Sequence, residues 1–305
     1  MNPTPPQPVE ILYRPAASLR LRPKTKKNYT QQCNVVYAEA HGIGLVMDIF
    51  IPKHKTTNFA VLDVISSGWR SDRVILNEHV GLGAIDALCE LGITVFAVLP
   101  GSASLFTASE MVGHVQAAIR HIKNNGKVYE IQPERLAILG VSAGGHLGAL
   151  TALNVQRGRT VAYDPLRRWS TDVAAIALFF PPTDLVDYGG RSFDPRTLDS
   201  MNIKSLFFHC STEKVEKDTL IEMLTRLSPA RVTAHNPPPF LIVQGKEDPI
   251  VPWKQAEKLA ASLRTAGGEV DLVYKEKGGH PWPDIDIEIE KAAQWLYTKL
   301  QGVVN

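Results

Sequence analysis

Residues Gly140-Val141-Ser142-Ala143-Gly144 constrain this chain more than any other stretch. They fit G-x-S-x-G, and their flanks give the pattern its weight. Arg135-Leu136-Ala137-Ile138-Leu139 enters as a short apolar run that predicts a buried strand, and Gly145 to Leu153 leaves as a helix. A strand, a tight turn and a helix with serine at the apex form a nucleophile elbow. The flanking glycines permit a sharp turn and keep Cβ atoms out of the corner.

A serine at this apex needs a base and an acid further along the chain, in the order Ser, Asp, His. Phe240 to Gln244 predicts a strand, and the Gly- and Pro-punctuated loop after it carries Asp248. A helix over Trp253 to about Ala266 and a strand over Glu269 to Lys275 follow, and then the loop Gly278-Gly279-His280-Pro281-Trp282-Pro283. Ser142, Asp248 and His280 therefore sit on three loops at the C-terminal edge of one sheet, where open α/β sheets build their sites. Asp184 and Asp187 also follow a predicted strand (Asp172 to Phe180) and are reserve acids; chain order favours Asp248.

The rest of the chain alternates strands and helices. Strands are expected over Asn34–Glu39, Gly44–Ile51, Phe59–Ile65 and Ile93–Leu99, with helices over Ala84–Leu91 and Ser109–Lys123. The apolar stripe Met111, Val115, Ala118, Ile119, Ile122 has the 3.6-residue period of a core-facing helix. His114 and His121 on that helix have no Cys or carboxylate partner at metal spacing, so they read as helix-surface or packing residues and no metal site is expected. The alternation argues for a mostly parallel, doubly wound sheet covered on both faces. A length of 305 residues fits one large α/β domain over residues 33–305. Residues 1–32 form a Pro-rich basic arm, and the long connection over about 184–236 exceeds a simple crossover and reads as a small cap insertion.

A net charge of +2 gives no reason to expect nucleic acid. No apolar run reaches the length of a membrane span. The N-terminus lacks the apolar core of a signal peptide, although a mature secreted form would read the same. Cys33, Cys89 and Cys210 have neither metal nor disulfide-framework spacing, which mildly favours a reducing, cytoplasmic setting. The basic arm and the apolar 59–65 region leave a homodimer open.

With these residues in view, the chain from about Cys33 onward resembles an α/β-hydrolase, of the esterase/lipase branch that includes feruloyl- and acetyl-esterase-like proteins and prolyl-oligopeptidase-type catalytic domains. The matching segments are Pro133-Glu134-Arg135, Gly140 to His146, Phe180 to Asp184, Gly245 with Asp248 and Val251-Pro252, and Gly278-Gly279-His280. The resemblance implies a triad of Ser142, Asp248 and His280 that needs no cofactor. It also implies an oxyanion hole from Ala143 with Gly68 or Trp69. Many relatives carry His-Gly-Gly-Gly or Ser-Gly-Gly-Trp after the third strand; here Ser66-Ser67-Gly68-Trp69-Arg70 puts Ser67 where a glycine would tolerate positive φ. Trp69, Arg70 and Trp282 flank the expected site and are candidates to line a substrate pocket, by stacking on a sugar or aromatic ring or pairing with a carboxylate. The implied activity is hydrolysis of a small, carbohydrate-linked or other carboxylic ester. A serine peptidase or amidase with the same triad, and a non-catalytic binding protein on the same fold, remain as alternatives.

Overall fold

The structure, a computed structural model, describes residues 28–54, 56–189, 191–192, 216–233 and 235–303. Strands β1 (Tyr29–Ala40) and β2 (Ile43–Pro52) form an antiparallel hairpin through a turn at His41-Gly42. Then come β3 (Ala60–Val64), α1 (Arg73–Gly81), α2 (Ala84–Glu90), β4 (Thr94–Val98), α3 (Ala108–Asn124), β5 (Leu136–Val141), α4 (Ala143–Leu153) and β6 (Ile176–Phe179). A two-strand ribbon, β7 (Asp187–Tyr188) with β8 (Arg191–Ser192), precedes α5 (Lys217–Arg226). The chain closes with β9 (Phe240–Gly245), α6 (Lys254–Thr265), β10 (Val270–Lys275) and α7 (Ile285–Gln301).

Eight strands form one sheet in the order β1-β2-β4-β3-β5-β6-β9-β10. The pairings from β4 to β10 are parallel, and β2 joins β4 antiparallel. Alternation along each strand sends successive side chains to opposite faces. Leu62, Val64, Ile138, Leu178 and Ile242 pack under α3, α4 and α6, whereas Val61, Leu139, Ala177, Phe179 and Val243 pack under α1, α2 and α7. The sheet is thus covered on both faces, and its central strands read as continuous apolar runs for that reason. Truncating a core residue such as Ile138, fully buried, costs about 2–5 kcal/mol.

Two helices occupy the region where the sequence suggested one. Asp72 caps α1 by accepting from the Val74 and Ile75 N–H groups, and Gly83, at φ 87°, separates α1 from α2. Two buried carboxylates pin α1 to the sheet. Arg73 pairs with Asp48 of β2 at 2.6 Å, and His79 Nδ1 meets the Asp63 carboxylate of β3 at 2.9 Å. Burial alone would lower the His79 pKa, but the facing Asp63 outweighs it and holds the pKa above its ordinary value.

Several expectations shift. The first strand begins at Tyr29, so the basic arm ends before residue 32; its residues 1–27 lie outside the described ones. Strand β6 is shorter than the predicted Asp172 to Phe180, and Asp172 instead pairs with Lys123 at 2.6 Å. Phe59 to Ile65 forms the buried centre of the sheet, at most 5% exposed, so it offers no face to a second copy. Residues 190, 193–215 and 234 of the expected cap lie outside the described residues; of the remainder, α5 turns Leu220 and Leu224 inward. Cys89 is buried in α2, and Cys33 is exposed. No helix among the described residues is long and apolar enough to cross a membrane.

Candidate active site

Strand β5 ends at Val141, and Ser142 takes φ 52° and ψ −120°, a conformation L-residues rarely adopt. The flanking elements enforce it. The Ser142 N–H donates to the Phe179 carbonyl at 2.9 Å, and α4 starts at the next residue. A Cβ on Gly144 would lie 2.3 Å from the Val64 carbonyl oxygen, so only glycine lets α4 approach β3 this closely.

His280 and Asp248 converge on that serine. His280 Nε2 lies 3.0 Å from Ser142 Oγ, and His280 Nδ1 lies 2.8 Å from Asp248 Oδ2. A carboxylate accepts only, so Nδ1 carries the proton and Nε2 is left to accept from the serine hydroxyl. The Asp248 side chain is fully buried. Its Oδ1 accepts the N–H groups of Ile250 and Val251, both at 2.8 Å, and its Oδ2 also accepts from Gln244 at 3.3 Å. The two loops press together: a Cβ on Gly245 would lie 2.3 Å from the Gly278 carbonyl oxygen. Phe180 packs on the imidazole, ring centroids 4.2 Å apart. Asp184 and Asp187, the reserve acids, face elsewhere. Asp184 pairs with Arg231 at 2.7 Å and Lys258 at 3.0 Å, and Lys258 also holds Asp187 at 2.7 Å. Burial pushes the Asp184 pKa up, but the Arg231 and Lys258 hydrogen bonds outweigh it and leave the pKa lowered.

Ser67 and Arg70 exchange backbone hydrogen bonds of 2.9 and 3.0 Å, which closes a two-residue turn beside the elbow. Its central residues, Gly68 and Trp69, have φ of 53° and 56°. Positive φ at both centres marks a type I′ turn. The left-handed burden expected at Ser67 therefore falls one and two residues later, and Ser67 itself is free of it. Among the described residues, the N–H groups of Gly68, Trp69 and Ala143 donate to no acceptor.

Three side chains proposed to line a pocket separate here. Arg70 is exposed, 3.5 Å from Asp72. Trp69 and Trp282, only 3% and 2% exposed, have no ring face to offer a ligand. The Trp69 indole donates to His146 Nδ1 at 3.0 Å, and the Trp282 indole donates to Glu288 at 2.9 Å. Both rings are packing residues, which corrects the expectation. His146 lies on α4 and is fully buried; its Nε2 meets the Leu227 carbonyl at 2.7 Å. Burial lowers its pKa to about 4, so it is neutral near pH 7. Of the surface and packing roles open to His114 and His121, both take part in packing, with Nδ1 of His114 at 2.7 Å from the Pro100 carbonyl and Nε2 of His121 at 3.1 Å from the Tyr129 hydroxyl. A cavity of about 610 Å³ lined by Gln116, Arg120, Arg157, Arg159 and Arg167 sits at the far end of α4 from Ser142 and shares no residue with this cluster.

Sequence reasoning passed over His146, Phe180 and Gln244 as supports. Phe180 and Gln244 had a usable signal, since each ends or follows a strand at the sheet edge that holds Ser142. His146 had only its spacing, four residues after the apex serine.

The strand order, the elbow and the three converging loops define an α/β-hydrolase. More narrowly, the chain belongs to the BD-FAE family of α/β-hydrolase-type esterases, whose model matches residues 47–263. That span includes Ser142 and Asp248; His280 lies beyond it. Among curated relatives, the chain is 25% identical over 238 residues to the acetylxylan esterase of Xylanibacter ruminicola, covering 77% of this chain and 43% of that protein. It is 30% identical over 155 residues to esterase LipQ of Mycobacterium tuberculosis, covering 50% of this chain and 34% of that one. The chain thus spans less than half the length of these two relatives. Among solved structures, a truncated carbohydrate esterase from gut microbiota matches with a TM-score of 0.75 at 21% identity, over 90% of this chain and 98% of that one. The butyrate-bound esterase Est2 of Thermogutta terrifontis matches with a TM-score of 0.65 at 19% identity, over 92% and 97%. At these identities the structural likenesses speak to the fold.

Proposed function

We propose that this protein hydrolyses carboxylic esters through an acyl-enzyme on Ser142. The observation that carries the reading is the continuous hydrogen-bonded line from Ser142 Oγ through His280 to Asp248. In the first step His280 Nε2 takes the hydroxyl proton while Oγ attacks the ester carbonyl carbon. The imidazolium then returns that proton to the departing alkoxide, which leaves as the alcohol. A water molecule attacks the acyl-serine with His280 again as base, and the carboxylic acid and free serine result. Asp248 fixes the tautomer and stabilises the imidazolium, while Ala143 and the Gly68–Trp69 turn supply N–H donors to the oxyanion. The two backbone N–H bonds to Asp248 Oδ1 orient the carboxylate toward His280.

Short-acyl esters, and acylated carbohydrates first among them, are the substrate class to test, because an acetylxylan esterase and a carbohydrate esterase are among the similar proteins. Exposed Arg70 beside the turn is the side chain we assign to contact the substrate. We take the described end of the expected insertion, α5 and the residue that follows it, to border the site, supported by the bond from His146 to Leu227. A panel of p-nitrophenyl esters, acetylated xylo-oligosaccharides and aminoacyl amides separates the readings. Turnover of esters that is abolished in Ser142→Ala, with an unchanged melting temperature, supports the proposal. Preference for the amides would make the protein a peptidase, and full activity in Ser142→Ala would remove the nucleophile from the account.

A further inference from the structure

We infer that His146 is a positioning residue for the oxyanion hole: it ties the Gly68–Trp69 turn to the first turns of α4, so that the two halves of the hole move as one body. The inference rests on Ser142 being the nucleophile. An indole N–H only donates and a carbonyl only accepts. His146 Nδ1 must therefore accept from Trp69, at 3.0 Å, and Nε2–H must donate to Leu227, at 2.7 Å. One neutral tautomer satisfies both contacts. The two rings stand edge to face, at 87° with centroids 5.5 Å apart.

The turn needs such a restraint. A bulky side chain at φ 56° is unfavourable and persists only where its surroundings over-determine it. At Trp69 three groups do so. The Ser67–Arg70 bonds close the turn, the Ala103 N–H donates to the Trp69 carbonyl at 2.8 Å, and the indole is buried against His146. The other half of the hole, the Ala143 N–H, begins α4. His146 sits one turn further along that helix, and its own N–H donates to the Ser142 carbonyl at 3.0 Å. The separation between the two sets of donors is thus set through a rigid helical turn and one imidazole. The Leu227 contact anchors the same ring to the end of α5.

His146→Leu removes both hydrogen bonds at similar volume, His146→Asn keeps an acceptor close to Nδ1, and Trp69→Phe removes the donor and keeps a ring. For His146→Leu and Trp69→Phe, kcat on a p-nitrophenyl ester should fall about 10- to 100-fold, with KM changed by less than about threefold, since a displaced oxyanion donor acts in the transition state. His146→Asn should recover much of that loss, and the double variant Trp69→Phe/His146→Leu should be no slower than either single variant. Wild-type kcat in His146→Leu or Trp69→Phe would overturn the inference, as would multiplying effects in the double variant or no recovery in His146→Asn. If His146→Leu does not fold, Trp69→Phe and His146→Asn decide the matter alone. Failure of the wild type to hydrolyse any ester or to react with a fluorophosphonate at Ser142 would instead bring down the underlying reading, and this inference with it.

Discussion

The elbow at Ser142 and the turn at Gly68–Trp69 lie side by side at one sheet edge, and both hold residues at positive φ. They are held by different means. The elbow is fixed by backbone: β5 delivers the chain, the Phe179 carbonyl accepts the Ser142 N–H, Gly144 admits the backbone of β3, and α4 carries it away. The Gly68–Trp69 turn has its own Ser67–Arg70 backbone bonds and the carbonyl contact to Ala103, but it also depends on a side chain, an indole reaching His146, 77 residues further along the chain. A strain enforced by backbone packing survives most side-chain changes. A strain enforced partly by a side chain depends on each of its anchors, so damage to the second region should be graded where damage to the first is abrupt.

That contrast can be broken or sharpened by mutation. The largest expected effect in this set is on the base. Asp248→Asn keeps the shape but lets the wrong imidazole tautomer form, and kcat should fall by about 10⁴-fold with KM little changed, measured on a p-nitrophenyl ester. A loss below tenfold would mean Asp248 is not the acid. The graded case comes next. Gly68→Ala places a Cβ where nothing lies within 4 Å, so its cost is conformational, about 1 kcal/mol, and kcat should drop by no more than about tenfold. A collapse as large as that of Asp248→Asn would show the turn to be as brittle as the elbow.

The smallest effect on chemistry is expected at Asp184, which holds Arg231 beside the Leu227–Ser228 segment that receives His146. Asp184→Asn should destabilise the protein by about 1–3 kcal/mol in urea titration while changing kcat less than threefold. The pKa of Asp184 is lowered on folding, so its contribution is complete above the ordinary value of 3.8 and is lost as pH falls through the lower folded value. The variant should therefore show a flatter stability profile below that pH. A large fall in kcat at neutral pH would mean that the segment matters to the hole more than its distance suggests.

Much of this architecture was legible in the residues because it is local. G-x-S-x-G between an apolar run and a helix, Asp248 on a Gly- and Pro-punctuated loop, and His280 after the next strand each declare themselves within about ten residues. What stayed hidden depends on partners distant in sequence. The burial of Trp69 and Trp282 follows from His146 and Glu288, and a tryptophan beside a site reads as a ligand platform until those acceptors are known. Ser67 looked like a defect because a missing glycine suggests strain at its own position; the register of the turn, set by the Ser67–Arg70 bonds, decides which residues carry it. Helix α7 went unread although Ile285, Ile289, Ala292, Leu296 and Leu300 mark its buried stripe, since Pro281 and Pro283 dominate its approach.

The central claim is that His280 and Asp248 make Ser142 the nucleophile, and covalent labelling tests it most directly. After treatment with a fluorophosphonate, peptide mass mapping should find one adduct, on the peptide bearing Ser142, formed at least 100-fold more slowly in Asp248→Asn, following the tautomer argument at about that scale or above. An adduct on any other residue, or none in a preparation that still hydrolyses esters, would contradict it.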